Sequence, residues 1–348
     1  MKTCTVIVFL LFLDATVAAQ QPDTPASSAA NAAAQSTAQA PPPKKQKAPP
    51  AAKPARPKPL KRTNIDATMV GYIDPSPVQT QVRVRFDAGF NAPRPDRAEY
   101  FYAGCNGSPS CKGAIQRTLN FQELYLLGEY APRERFSAFV QVPFRWIQPI
   151  FVPNTGHPTI SSGGGISDVQ AGLKLAVVAS GSRNLTVQFG ASFPSGDGSA
   201  GLGTNHFSFE PKLLLFQRLS DRSALEAEAG DSHPIGGTIY FARDGAAPQN
   251  FAADVAMYGV GPSYALIRRD GYSISPVLEV VSWHVFGGLQ TGSAAVVQSA
   301  AGINVLNAKL GARVSLSNGS SFYAGYGRGL TSDIWYRNLV RIEYRRVF

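Results

Sequence analysis

After Thr63 the chain repeatedly alternates apolar and polar residues with period two, and this feature limits the folds open to it more than any other. In Val78–Phe90 one face carries Val82, Val84, Phe86, Ala88 and Phe90, and the other carries Gln81, Arg83, Arg85, Asp87 and Gly89. Two is the side-chain repeat of an extended strand, so the run predicts a strand with one apolar face. The pattern returns in Phe136–Trp146, Val169–Val177, Leu185–Phe193 and Leu306–Leu316. Residues 119–130 alternate less cleanly, and their faces stay unassigned. Counting such runs gives about 12 strands, an even number of the kind bacterial barrels use.

The connections alternate in length. Short turns are expected at Pro132–Arg135, Ser180–Arg183, Ser220–Ser223, Arg268–Gly271 and Ser317–Ser320, the last with the hairpin dipeptide Asn318-Gly319. Long connections rich in Gly and Pro fall near residues 91–117, 149–165, 194–206, 230–250 and 287–302, with a shorter one near 328–333. Outer-membrane barrels pair short periplasmic turns with long extracellular loops, and an even strand count puts both termini at the periplasmic end.

Alternation does not say which face looks out, because soluble barrels and sandwiches alternate too. Three features favour a membrane barrel. Arg83, Arg85, Asp87, Asp168, Lys174, Glu210, Lys212, Glu226, Glu228, Lys309 and Arg313 all lie on the polar faces. A watery lumen tolerates them, whereas lipid costs about 2–4 kcal/mol for each Arg or Lys at its midplane. The chain ends on Phe348, in step with Arg346, Tyr344, Ile342, Val340 and Asn338, an apolar face broken at one inner position. This resembles the C-terminal strand signature that outer-membrane barrels present to their assembly machinery. Phe90, Trp146, Phe193, Trp283 and Trp335 sit near expected strand ends, where interface girdles of aromatic residues belong. The fold expected is an all-β, transmembrane, antiparallel up-and-down barrel in the outer membrane over residues 66–348.

What precedes the barrel reads differently. Lys2, the apolar run Val6–Leu13 and the small residues Val17–Ala19 have the layout of a signal peptide over residues 1–19. Residues 20–65 are rich in Pro, Ala and Lys and hold almost nothing to bury, which predicts a disordered periplasmic tail. Nine of the 33 Lys and Arg but two of the 23 acidic residues lie in residues 1–62, leaving 24 and 21 for the rest. The formal charge of +10 thus belongs mostly to leader and tail and does not argue for nucleic acid. A basic tail of this kind is a plain linker or a contact for peptidoglycan. Cys105 and Cys111 bracket turn residues in an exported chain and are expected to form a disulfide.

Two patches carry a family resemblance. Gly165–Lys174 is one; the other is Phe193–Gly198 with Gly201–Thr204 and Phe209–Pro211. They resemble the transporter-like outer-membrane family named for the meta-cleavage pathway of phenol degradation. The resemblance implies a barrel that passes small, often hydrophobic or aromatic compounds, and the family name is not itself an activity. The chain is expected to be no enzyme and to need no cofactor.

About 12 strands is intermediate between barrels filled by side chains and open porins, so a narrow or partly plugged pore is expected. The inward charges then set selectivity for a small solute, or form lumenal ion pairs that hold the wall; for any one residue the second role is the more frequent. The alternative function is a structural or adhesion barrel tethered to the wall by its tail. A hydrolase is less favoured: His206 and Ser208 share a strand face, but that face points inward and spaces them about 6.6–6.8 Å apart along the backbone. His157, His206, His233 and His284 lie in or beside long connections and match no metal motif.

Overall fold

The computed structural model describes residues 68–92, 116–154, 162–237, 239–240, 249–291 and 297–348. The expected leader, the tail and the Cys105–Cys111 pair lie outside these residues.

Twelve long strands form the wall: β1 Gln81–Ala92, β2 Gln116–Arg133, β3 Phe136–Phe151, β4 Val169–Ala179, β5 Arg183–Phe193, β6 Phe207–Arg218, β7 Ser223–Ile235, β8 Val255–Tyr264, β9 Tyr272–Val285, β10 Asn304–Leu316, β11 Ser320–Gly329 and β12 Asn338–Val347. Each pairs antiparallel with the next, and β12 returns to β1, so the sheet closes on itself. Closure leaves no free row of backbone N–H and C=O groups, the condition a strand must meet in lipid. Among the described residues no helix is long and apolar enough to cross a membrane.

The closing register sets Phe86 opposite Ile342, Ala88 opposite Val340 and Asp87 opposite Arg341. It keeps like faces together: Val82, Val84, Phe86, Val340 and Ile342 are exposed on the outside, while Arg83, Asp87, Arg341, Glu343 and Arg345 are buried inside. Leu173, Leu175, Phe189, Leu213, Leu278, Leu310 and Phe322 continue the outer apolar face around the barrel. An apolar surface this extensive is not left to water and matches a lipid belt. The lipid-facing side is therefore the apolar one.

The five short turns close one end. At Ser317–Ser320 the hairpin needs Gly319, which has φ 95°, a conformation open to glycine at little cost. A bulge in β4 between Ala176 and Val178 turns Val177 and Val178 both outward. At the other end β7 runs on to Ile235, past residue 230 where a loop was expected. Gly230–Ile235 is polar because the wall there stands above the belt, still paired with β6 and β8. The short segment Gly163–Ile166 pairs with the upper part of β3 inside the expected 149–165 connection.

The aromatic girdle needs a correction. Phe90, Trp146 and Phe193 point outward, but Trp335 is 4% exposed and packs tilted against Trp283 inside the barrel, ring centroids 4.6 Å apart. Both belong to an apolar cluster at the loop end of the lumen, with Phe121, Phe251, Val255, Tyr336 and Leu339. The same cluster explains β2, whose inward face runs Leu119, Phe121, Glu123, Tyr125, Leu127, Glu129. The lumen is apolar above and charged below, so β2 could not alternate cleanly.

Candidate functional site: a plugged lumen with a cavity above the plug

The residues just before β1 do not leave the barrel. Residues 68–80 fold into the lumen from the short-turn end, bend near Tyr72–Asp74 and return to the wall at Gln81. Placed inside, their backbone groups lose water and need new partners. The inward charges supply them. The Met69 and Val70 N–H groups donate to Glu226 Oε1, at 2.7 and 3.3 Å. Glu279 accepts three in succession, from Gly71 at 3.1 Å, Tyr72 at 2.9 Å and Ile73 at 3.0 Å. The Asp74 N–H donates to Glu228 at 2.9 Å. Cations take the carbonyls: Arg313 donates to those of Met69 and Val70, Arg341 to that of Gly71 and Lys174 to that of Pro75. Further along, Thr186 Oγ1 donates to the Ser76 carbonyl at 2.7 Å.

Side chains secure the same segment. Met69, Val70 and Ile73 pack on Val277, Val281 and Tyr323. Tyr72 stands edge-on to Tyr323 and lies between two cations, Lys309 Nζ 3.9 Å and the Arg341 guanidinium 4.1 Å from its ring centre. The Asp74 carboxylate meets Lys212 at 2.8 Å and Arg83 at 3.9 Å. Gly71 is held against the Tyr323 ring, where a Cβ would collide, and Gly259 and Gly261 on β8 leave room for Ile73 and Val70.

The 11 charged residues singled out in the sequence all lie on inward strand faces or at their ends, in distinct settings. Glu226, Glu228, Lys174, Lys212 and Arg313 bind the plug. Arg83 reaches Asp74 and Glu343. Asp87 takes two hydrogen bonds from Arg341, at 2.7 and 2.6 Å, with Arg85 at 3.6 Å. Asp168 clamps the β5–β6 connection by accepting from Gly196 N, Thr204 N and Thr204 Oγ1. Glu210 and Lys309 line the space above the plug. Further ion pairs bring in other inward residues: Arg313 and Arg345 on Glu343, Arg145 on Glu123 and Lys174 on Glu129. Glu279, Arg341, Glu343, Arg345, Glu123, Glu129 and Arg145 were missed. Counting back by two from Phe348 would have left Arg341, Glu343 and Arg345 on the inner face.

Above the plug lies a cavity of about 230 Å³. Tyr72 and Asp74 border it below. Arg83, Arg85, Glu210, Lys212, Glu228 and Lys309 are on its polar side, and Phe121, Val255, Trp283, Trp335, Tyr336 and Leu339 on its apolar side. The apolar wall comes partly from residues just before β8, β10 and β12 that fold onto the lumen, among them Phe251, Ala300 and Trp335.

His206 and Ser208 are both buried and inward, and His206 Nδ1 lies 3.1 Å from the Thr204 carbonyl. Burial pushes the His206 imidazole below its usual value, against that hydrogen bond and the nearby Asp168 charge. The pairing of β7 with β8 brings His233 to Asp254 at 2.5 Å and gathers Asp231 beside them, a grouping the linear spacing did not show. His233 is exposed and the two aspartates half-buried, and acidic groups commonly cluster at a surface without an ion.

No family model matches this chain, and no curated protein does. Among solved structures it is similar to an outer-membrane channel from Pseudomonas putida F1, with 15% identity over 79% of this chain and 100% of that one, TM-score 0.48. It is also similar to the β-domain of the Bordetella autotransporter BrkA, with 14% identity over 78% and 100%, TM-score 0.44. The NanC porin matches with 8% identity over 77% and 98%, TM-score 0.40. At these scores the outer-membrane location rests on the barrel itself: a closed antiparallel sheet, an apolar belt outside, charges inside, and short turns opposite long loops. The chain is a 12-stranded bacterial outer-membrane β-barrel whose lumen holds residues 68–80, the stretch just before its first strand.

Proposed function

We propose that this barrel is a channel for small solutes, with hydrophobic or aromatic compounds favoured. One observation carries the reading: an enclosed lumen contains a cavity whose upper wall is aromatic and whose lower wall is charged. A barrel that served as a wall alone could fill this space with side chains, as smaller barrels do. The resemblance to the phenol meta-cleavage family points to the same cargo. Within the channel, Glu210 and Lys309 act on passing solutes, and most of the other inward charges position the plug and brace the wall. The test is solute uptake by the purified full chain in liposomes, beside protein-free liposomes. Uptake of small solutes above the lipid background is expected; no added flux for any small solute overturns the reading.

The occupied lumen favours a second reading, a structural barrel tethered to peptidoglycan by the basic tail. Deleting residues 20–62 separates the two: a channel keeps its flux, whereas a tether loses wall association. Phe348, exposed and in line with Tyr344 and Ile342, serves in either case as the signal read by the assembly machinery. Phe348→Ser is expected to lower the amount of barrel assembled in cells, and unchanged assembly contradicts that role.

A further inference from the structure

Lys309 differs from its neighbours. On β10 it is 4% exposed, yet its ammonium makes no hydrogen bond and no ion pair among the described residues. The other buried lumenal cations, such as Arg83, Lys174, Arg313, Arg341 and Arg345, each reach a carboxylate. Lys309 has only aromatic faces, with Tyr72 at 3.9 Å, Trp283 at 5.4 Å and Tyr336 at 6.0 Å. The acids whose charge reaches it are Glu279, Asp87 and Glu228, and Arg341 acts on it with like charge. All three acids are engaged: Glu279 by plug N–H groups, Asp87 by Arg341 and Glu228 by the Asp74 N–H. A buried ammonium without a hydrogen-bonding partner carries a desolvation cost that aromatic faces and distant acids offset only in part.

Lys309 also lines the cavity, where the charged floor meets the aromatic wall. We propose that the cavity binds small organic acids with an aromatic body, the carboxylate on Lys309 and the ring against Trp283, Trp335 and Phe121. The proposal rests on the channel reading and names its substrate class. An anionic head would give Lys309 the charge-assisted partner it lacks. The volume of about 230 Å³ exceeds the roughly 150 Å³ apolar cavity known to admit benzene, leaving room for a carboxylate.

The test uses the full chain at neutral pH and follows tryptophan fluorescence during titration with sodium benzoate or with benzyl alcohol, its uncharged counterpart of similar shape. Benzoate is expected to bind about tenfold tighter. Lys309→Met should abolish that preference by weakening benzoate, and Lys309→Arg should retain it. Trp335→Leu should weaken both ligands. Retarded mobility on heating in detergent gels confirms that each variant is folded. If Lys309→Met does not assemble, the wild-type comparison and Lys309→Arg still decide. Equal affinity for the two ligands, or binding of neither, overturns the proposal. If liposome flux persists in that case, the channel reading stands without it. If benzoate preference is found but no solute crosses, the site stands and the channel reading falls.

Discussion

Arg341 and Asp87 face each other across the β12–β1 seam that closes the barrel, joined by two hydrogen bonds of 2.7 and 2.6 Å. The same guanidinium donates to the Gly71 carbonyl and lies 4.1 Å from the Tyr72 ring. One residue therefore joins the wall to itself and the wall to the plug. Both partners are buried, so neither charge regains water if the other is removed. Asp87→Ala is expected to cost about 3–5 kcal/mol, measured by urea unfolding in liposomes. Adding Arg341→Met should recover part of the loss, because the orphaned charge goes with it. A single variant as stable as the wild type contradicts this account of the seam.

Glu279 is the plug's main anchor, with three successive backbone N–H groups and the Tyr323 hydroxyl on one carboxylate. A hydrogen bond to a charged group contributes about 1.5–3 kcal/mol. Losing even one shifts the docked-to-free ratio about tenfold or more. Glu279→Ala should thus show frequent channel openings in planar bilayers where the wild type shows few. Openings as rare as in the wild type would place the anchor elsewhere.

Gly71 tests the fit of the plug by volume. Its missing side chain lets the backbone lie on the Tyr323 ring. Gly71→Val should loosen the plug by about 1–3 kcal/mol and raise conductance in the same sense as Glu279→Ala. Tyr323→Ala, by clearing the space, should suppress part of the effect. If the two substitutions simply add, the contact does not hold the plug.

The three tryptophans differ in what they touch. Trp146 faces lipid, and Trp283 and Trp335 face the lumen. In single-tryptophan variants, brominated lipid should quench Trp146 strongly and leave Trp283 and Trp335 nearly unchanged. Strong quenching of Trp335 contradicts its inward packing against Trp283.

The wall was legible in the sequence because lipid imposes one rule on every outward position, as in Val82, Val84 and Phe86. The interior obeys no single rule. Leu119 and Phe121 are inward because the upper lumen is apolar, and Val277 and Val281 are inward because Met69, Val70 and Ile73 pack on them. An alternation count reads such strands poorly, which is why it assigns no faces to β2 and does not single out Glu279. The plug itself was hidden for a different reason. Thr68–Asp74 has no period of its own, and its conformation is set by Glu226, Glu228, Glu279, Arg313 and Arg341, all more than 150 residues away. The tryptophans misled because a position near a strand end does not say which way the ring turns.

Residues 68–80 close a lumen which would otherwise conduct. The decisive comparison is the single-channel conductance of the wild type beside a chain lacking residues 59–79, both confirmed as folded by heat-dependent gel mobility. The account predicts a conductance increase of several-fold on deletion, reversed when bulky residues replace Gly259 and Gly261, which line the vacated space. Equal conductance in the two chains would contradict it.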